Sequence, residues 1–245
     1  VTTGAWFWAI AAPARATRVP PASARVLVAA VLAPTLGALA DLLGAKKRFL
    51  AVFAVLGIFF TSLLVLVSKG DWLLASALYV LGEIGFSGSI VFYDSLLPHL
   101  VGPEELDGAS SRGYAIGYLG GGILLAINVG MIAFLPPERG MRLSFLTVAA
   151  WWALFTLPVM AFVPEPPREP TGSPGTGSVL ARPFRTLRSL RIHRDAFLFL
   201  VAFWLFNDGI GTVIKLGALY ASALGIGRGH LLGALLATQF VAIPC

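Results

Sequence analysis

Apolar residues gather into runs at about 24–42, 49–68, 72–97, 113–135, 143–163, 196–224 and 229–245, parted by short polar intervals and one long one. A helix needs roughly 20 residues, at about 1.5 Å each, to cross a bilayer. The pattern predicts six complete transmembrane helices and a seventh cut short. Residues 1–23 are too short an apolar stretch to span. They hold Trp6, Phe7 and Trp8, then Arg15, Arg18 and the Pro20–Pro21 pair, and read as the remnant of an outer loop at the membrane interface.

Composition agrees. The chain is 57% hydrophobic and 12% charged, whereas a soluble domain is about 45–50% apolar and about 25% charged. The expected fold is an all-α polytopic transmembrane bundle. A net charge of +6 comes mostly from loops between apolar runs, which fits the positive-inside rule and argues against nucleic-acid binding. A single cysteine, Cys245, excludes a disulfide framework or a cysteine metal site. The chain starts at Val1 and its last apolar run stops at Cys245, so a fragment truncated at both ends is expected.

The loops set the orientation. Gly37–Phe49, GALADLLGAKKRF, joins two apolar runs and carries Lys46, Lys47 and Arg48. The 164–195 loop carries Arg168, Arg182, Arg185, Arg188, Arg191 and Arg194. If the helices alternate, both loops lie on one side, and their charge makes that side cytoplasmic. The 98–112 loop then lies inside too. The intervals 69–71, 136–142 and 225–228 lie outside, with Arg139 and Arg142 dissenting. The long loop opens PEPPREPTGSPGTG, a tract that cannot form a core. It continues as LARPFRTLRSLRIHRD, with basic residues every three positions between Phe184, Leu187 and Leu190. Two readings of 182–194 stand: an interfacial helix on anionic lipid headgroups, or a solvated linker.

Gly37, Asp41, Gly44, Lys46 and Lys47 resemble the loop between the second and third helices of the major facilitator superfamily, although Leu42 and Ala45 stand where basic residues are usual. Tyr93–Gly122 and the Phe206–Gly209 stretch FNDG are similar to the vacuole-effluxer-like branch, which includes fungal autophagy-related amino-acid effluxers and bacterial relatives. The resemblance implies twelve helices in two bundles. The runs then become helices 2 to 8, with 24–163 in the first bundle, 164–195 the central cytoplasmic loop and 196–245 the start of the second bundle. It also implies that helices 4 and 7 line a central cavity, and that helices 5 and 8 meet between the bundles.

Charges inside apolar runs point to function. A charge at the bilayer centre costs about 2.5–3.5 kcal/mol on insertion scales, so it needs a partner, water or a role. Glu83 falls near the middle of helix 4 and Asp208 near the middle of helix 7. A carboxylate at that depth can carry a proton, hold the amino group of a zwitterion, or sit in a structural ion pair. Asn207 and Thr212 add hydrogen-bonding groups at the level of Asp208. Lys215 lies two turns on, about 10 Å along the axis. It can snorkel, pair with Glu83, or take a substrate carboxylate. Gly82, Gly85, Ser87, Gly88 and Ser89 surround Glu83, either as close packing or as a bend at a binding site.

Asp94 ends helix 4, where the helix dipole disfavours an acid. Arg112 across the loop, or the Lys46–Arg48 cluster, could pair with it, which makes it a gate contact like the one the resemblance implies for Asp41. Gly113, Gly117 and Gly121 form a bare stripe on helix 5, answered by Gly229 and Gly233 on helix 8. Such stripes suit close packing, whether as a static contact or a sliding seam.

No nucleophile–base pair and no metal-ligand spacing is present, since His99, His193 and His230 lie in loops or at helix ends. No enzyme activity, metal or cofactor is expected. The first expectation is a secondary active transporter of small polar solutes, amino acids among them, working by alternating access with proton coupling. It would be monomeric when full length and would sit in a bacterial plasma membrane. The alternative is a scaffold or sensor with the same bundle and no flux.

Overall fold

The computed structural model describes residues 40, 44–68, 70–167 and 194–243. Among these there is no strand, and five helices are long and apolar enough to cross a membrane. The predicted helix at 24–42 apart from Ala40, the outer loop at 1–23, and the basic stretch 182–193 lie outside the described residues.

Helix α1 is Lys46–Leu63, extended by a 3-10 turn at Leu64–Leu66. Helix α2 is Trp72–Leu96, with a 3-10 turn at Leu97–His99. Next come α3, Leu106–Phe134, and α4, Pro137–Phe162. After the long loop come α5, Arg194–Ala223, and the shorter α6, Arg228–Val241.

Three boundaries differ from the sequence reading, for one reason: polar residues continue the helices beyond their apolar parts. Lys46, Lys47 and Arg48 form the first turn of α1 instead of a loop. Asp107 to Arg112 belong to α3, so the 98–112 loop shrinks to the few residues before Leu106. Arg139 and Arg142 lie in the first turns of α4, where the Arg142 guanidinium donates to Ser68 Oγ at 3.3 Å. Helix ends that emerge from the apolar layer can keep charged side chains without desolvating them.

Gly44 shows how the preceding helix stops. Its φ is 56°, and the Ala45 N–H donates to the Ala40 carbonyl at 3.1 Å. That is the six-to-one bond of a Schellman ending, with buried Ala40 and Ala45 as its apolar pair. The same bond from Ile226 to Ala221, with Gly225 at φ 79°, ends α5.

The tightest packing joins α1 and α2. Lipid is as apolar as a leucine side chain, so helices in a bilayer associate through close approach instead of water exclusion. A β-carbon on Gly85 would run into the backbone of Gly57, and one on Gly88 would run into the Phe53 ring. Toward one end, buried Phe92 stacks on Phe53 (5.8 Å between centroids) and tilts against Phe49 (5.3 Å). Helix α4 leans on this pair: Trp152 covers Gly57 and meets Phe86 edge to face. Helix α3 packs on α4 and on α6.

One polar pair is sealed in the α3–α4 contact. Thr147 Oγ1 donates to Asn128 Oδ1 at 2.7 Å, with Asn128 only 1% exposed. The Asn128 amide nitrogen has no partner among the described residues. Other hydroxyls fold back on their own helices, as Ser89 Oγ does to the Phe86 carbonyl at 2.8 Å.

Candidate functional site

Glu83 sits half-buried within α2, one residue after Gly82, which faces Thr61 and Phe60 of α1. No hydrogen bond or ion pair engages its carboxylate among the described residues. The surrounding small residues serve packing: Gly85 and Gly88 admit α1, and Ser89 is buried. Of the two readings of that glycine patch, close approach to α1 is the one the contacts support.

Asn207, Asp208 and Thr212 are exposed on α5, and Lys215 lies on the same helix with its side chain outside the description. Helix α5 makes its packing contacts with α6 and shares no extensive contact with α2. Glu83 and Asp208 are therefore both inside apolar helices but are not brought together. Gly209 and Gly211 have nothing within 4 Å of a built β-carbon.

The end of the bundle where α1 starts holds more contacts than the sequence reading foresaw. Lys46 is 9% exposed, and its Nζ lies 3.1 Å from His99 Nε2. The ammonium can only donate, so the imidazole nitrogen is the acceptor. Lys47 donates from backbone and side chain: its backbone N–H donates to Glu165 Oε1 at 2.9 Å, and its Nζ donates to the Met160 carbonyl at 3.0 Å. These contacts place the Gly44–Arg48 turn and the root of the long loop at one end of the bundle, as helix alternation requires. Gly37 and Asp41 lie outside the described residues.

The expected pairing of Asp94 with Arg112 or the Lys46–Arg48 cluster is not present. Both Asp94 and Arg112 are exposed, and no ion pair joins them or reaches Asp94 from the cluster among the described residues. Arg112 stands on α3 instead of in the 98–112 loop, and Lys46 and Lys47 are turned to His99, Met160 and Glu165.

Helices α3 and α6 do meet, but at Gly122, where a β-carbon would lie 3.2 Å from Phe240 Cζ. Gly113, Gly117, Gly229 and Gly233 have nothing within 4 Å, and Gly121 is half-buried.

Sequence reasoning missed His99, Glu165, Asn128 and Thr147. His99 and Glu165 stand 53 and 118 residues from their lysine partners, so no local spacing announces them. Asn128 and Thr147 were visible as polar residues in apolar runs, but they carry no charge. Among the described residues no group of three His, Cys, Asp or Glu could hold a metal.

A model of the family described as "Vacuole effluxer Atg22 like" matches residues 21–243. The uncharacterized MFS-type transporter YxiO of Bacillus subtilis (strain 168) is 35% identical over 231 residues, covering 89% of this chain and 52% of that protein. Autophagy-related protein 22 of Coccidioides immitis (strain RS) is 27% identical over 268 residues, covering 81% of this chain and 44% of that protein. The chain thus spans about half the length of the curated relatives it matches. No solved structure matches it.

Proposed function

The chain belongs to the vacuole effluxer Atg22-like family of the major facilitator superfamily, and from that membership we propose that it is part of a secondary active transporter of small polar solutes. Amino acids are the favoured class, since they offer both an amino group for a carboxylate within an apolar helix and a carboxylate for Lys215. The observation that carries the reading is the family match across residues 21–243. Glu83, inside a membrane-length helix and without an ion-pair partner among the described residues, supports it.

In this reading residues 24–163 form helices 2 to 6 of a first bundle, 164–195 the central cytoplasmic loop, and 196–245 the start of a second bundle. Alternating access moves one bundle against the other, and Glu83 and Asp208 face the cavity between them. Each carboxylate exchanges a proton or a substrate amine as its surroundings switch between solvent and protein. A carboxylate kept inside a membrane helix without a partner is costly, and coupling is a physical reason to retain it. Gly113, Gly117, Gly229 and Gly233 would then serve the seam between bundles. Asp41 and Asp94 would close the inner side, the 182–194 segment would rest on anionic headgroups, and the membrane would be a bacterial plasma membrane.

The test is solute flux into proteoliposomes carrying the full-length protein, driven by an imposed proton gradient. Asp208→Asn combined with Glu83→Gln is expected to abolish gradient-driven flux while leaving the protein folded. Unchanged flux in the double variant would end the coupling proposal. No flux from the unaltered protein across a broad solute panel would favour a non-transporting scaffold.

A further inference from the structure

The ends of α1 and α4 cap each other. The first N–H groups of a helix have no partner inside it, and no side chain of its own caps the start of α1. Three basic residues in that first turn add positive charge where the helix dipole is already positive. Glu165 answers both problems: its carboxylate accepts the Lys47 N–H at 2.9 Å and brings a negative charge to the positive end. The last carbonyls of α4 have the opposite need. Lys47 returns the favour, its ammonium donating to the Met160 carbonyl at 3.0 Å.

The chain leaving α4 is seated as it does this. Val163 packs on the cluster of Ala40, Leu50, Phe92 and Leu96, and Pro166 is buried. Beside it, Lys46 reaches His99 at the end of α2. Three helix ends and the root of the long loop thus meet at one junction.

We propose that Val163–Pro166 is a conformational strap, with Glu165 as its positioning residue. It fixes these ends of α1, α2 and α4 as one unit at the root of the long loop. A pull on that loop meets the Glu165–Lys47 bond first, and only its release lets the pull reach the Gly44–Arg48 turn. The strap rests on these contacts and not on any transported solute.

Residue-resolved amide exchange on the full-length protein in nanodiscs tests it. In the unaltered protein the Lys47 amide is expected to be protected, although it has no acceptor within its own helix. Exchange at the free-chain rate would overturn the strap without any variant. Glu165→Ala is expected to speed exchange at residues 46–49 about tenfold, the loss expected of one charge-assisted hydrogen bond. Glu165→Gln keeps an acceptor oxygen and should retain most of the protection. Equal protection in Glu165→Ala and the unaltered protein, with the body of α2 protected in both, would also overturn it.

Discussion

Gly85 of α2 lies so close to Gly57 of α1 that a β-carbon at 85 would collide with the Gly57 backbone and come within 2.8 Å of the Phe53 carbonyl. The obstacle is backbone on both counts, so no rotamer change can relieve it. Gly85→Ala is expected to force the helices apart and cost roughly 1–3 kcal/mol, as overpacking does. Gly117→Ala is the control, because that position is open. A thermal melt of the full-length protein in detergent should fall for the first variant and hold for the second. If Gly117 serves the proposed seam, its variant should lose flux without losing stability.

Thr147 supplies the hydrogen bond that Asn128 makes across the α3–α4 contact. Thr147→Val keeps the shape but leaves a fully buried amide unmet, at a cost of about 1–3 kcal/mol. Adding Asn128→Leu removes the orphaned group and should recover much of that loss. A double-mutant cycle on melting temperature checks this, and simple additivity of the two losses would contradict it.

Gly44 holds a left-handed backbone that an L side chain adopts at a cost of roughly 1–2 kcal/mol. Gly44→Ala should therefore lower stability by about that amount, and Gly44→Asn by less, since asparagine tolerates this conformation. Comparative melts distinguish the two. Equal losses would mean that contact, not backbone strain, governs the site.

Glu83 has no ion-pair partner among the described residues. Glu83→Gln should therefore change the melting temperature little, equivalent to about 0.5 kcal/mol or less, while impairing solute flux. A large drop in stability with normal flux would assign the residue to structure instead.

Much of the architecture was legible because a membrane restricts the choices. An apolar run of about 20 residues has essentially one way to satisfy its backbone in lipid. The runs from 49 onward each became a helix where expected. Their ends moved outward at Lys46, Leu106 and Pro137, because charge beyond the apolar layer does not stop a helix.

The candidate site was legible only as a set of residues. Glu83 and Asp208 stood out because a charge in an apolar run is costly wherever it points. Their separation depends on how α2 and α5 are placed, and no periodicity encodes that.

The sequence by itself determined that this is an all-helical membrane chain of a recognisable family, since composition and the hydrophobic pattern are read along the chain without reference to distant contacts. Only the tertiary structure decided which glycines pack and which polar groups meet. Gly85 touches Gly57 while Gly117 touches nothing, and Lys47 finds Glu165 while Asp94 misses Arg112. Those outcomes rest on the crossing of helices distant in sequence, where a turn of one residue on a helix exchanges a contact for open space.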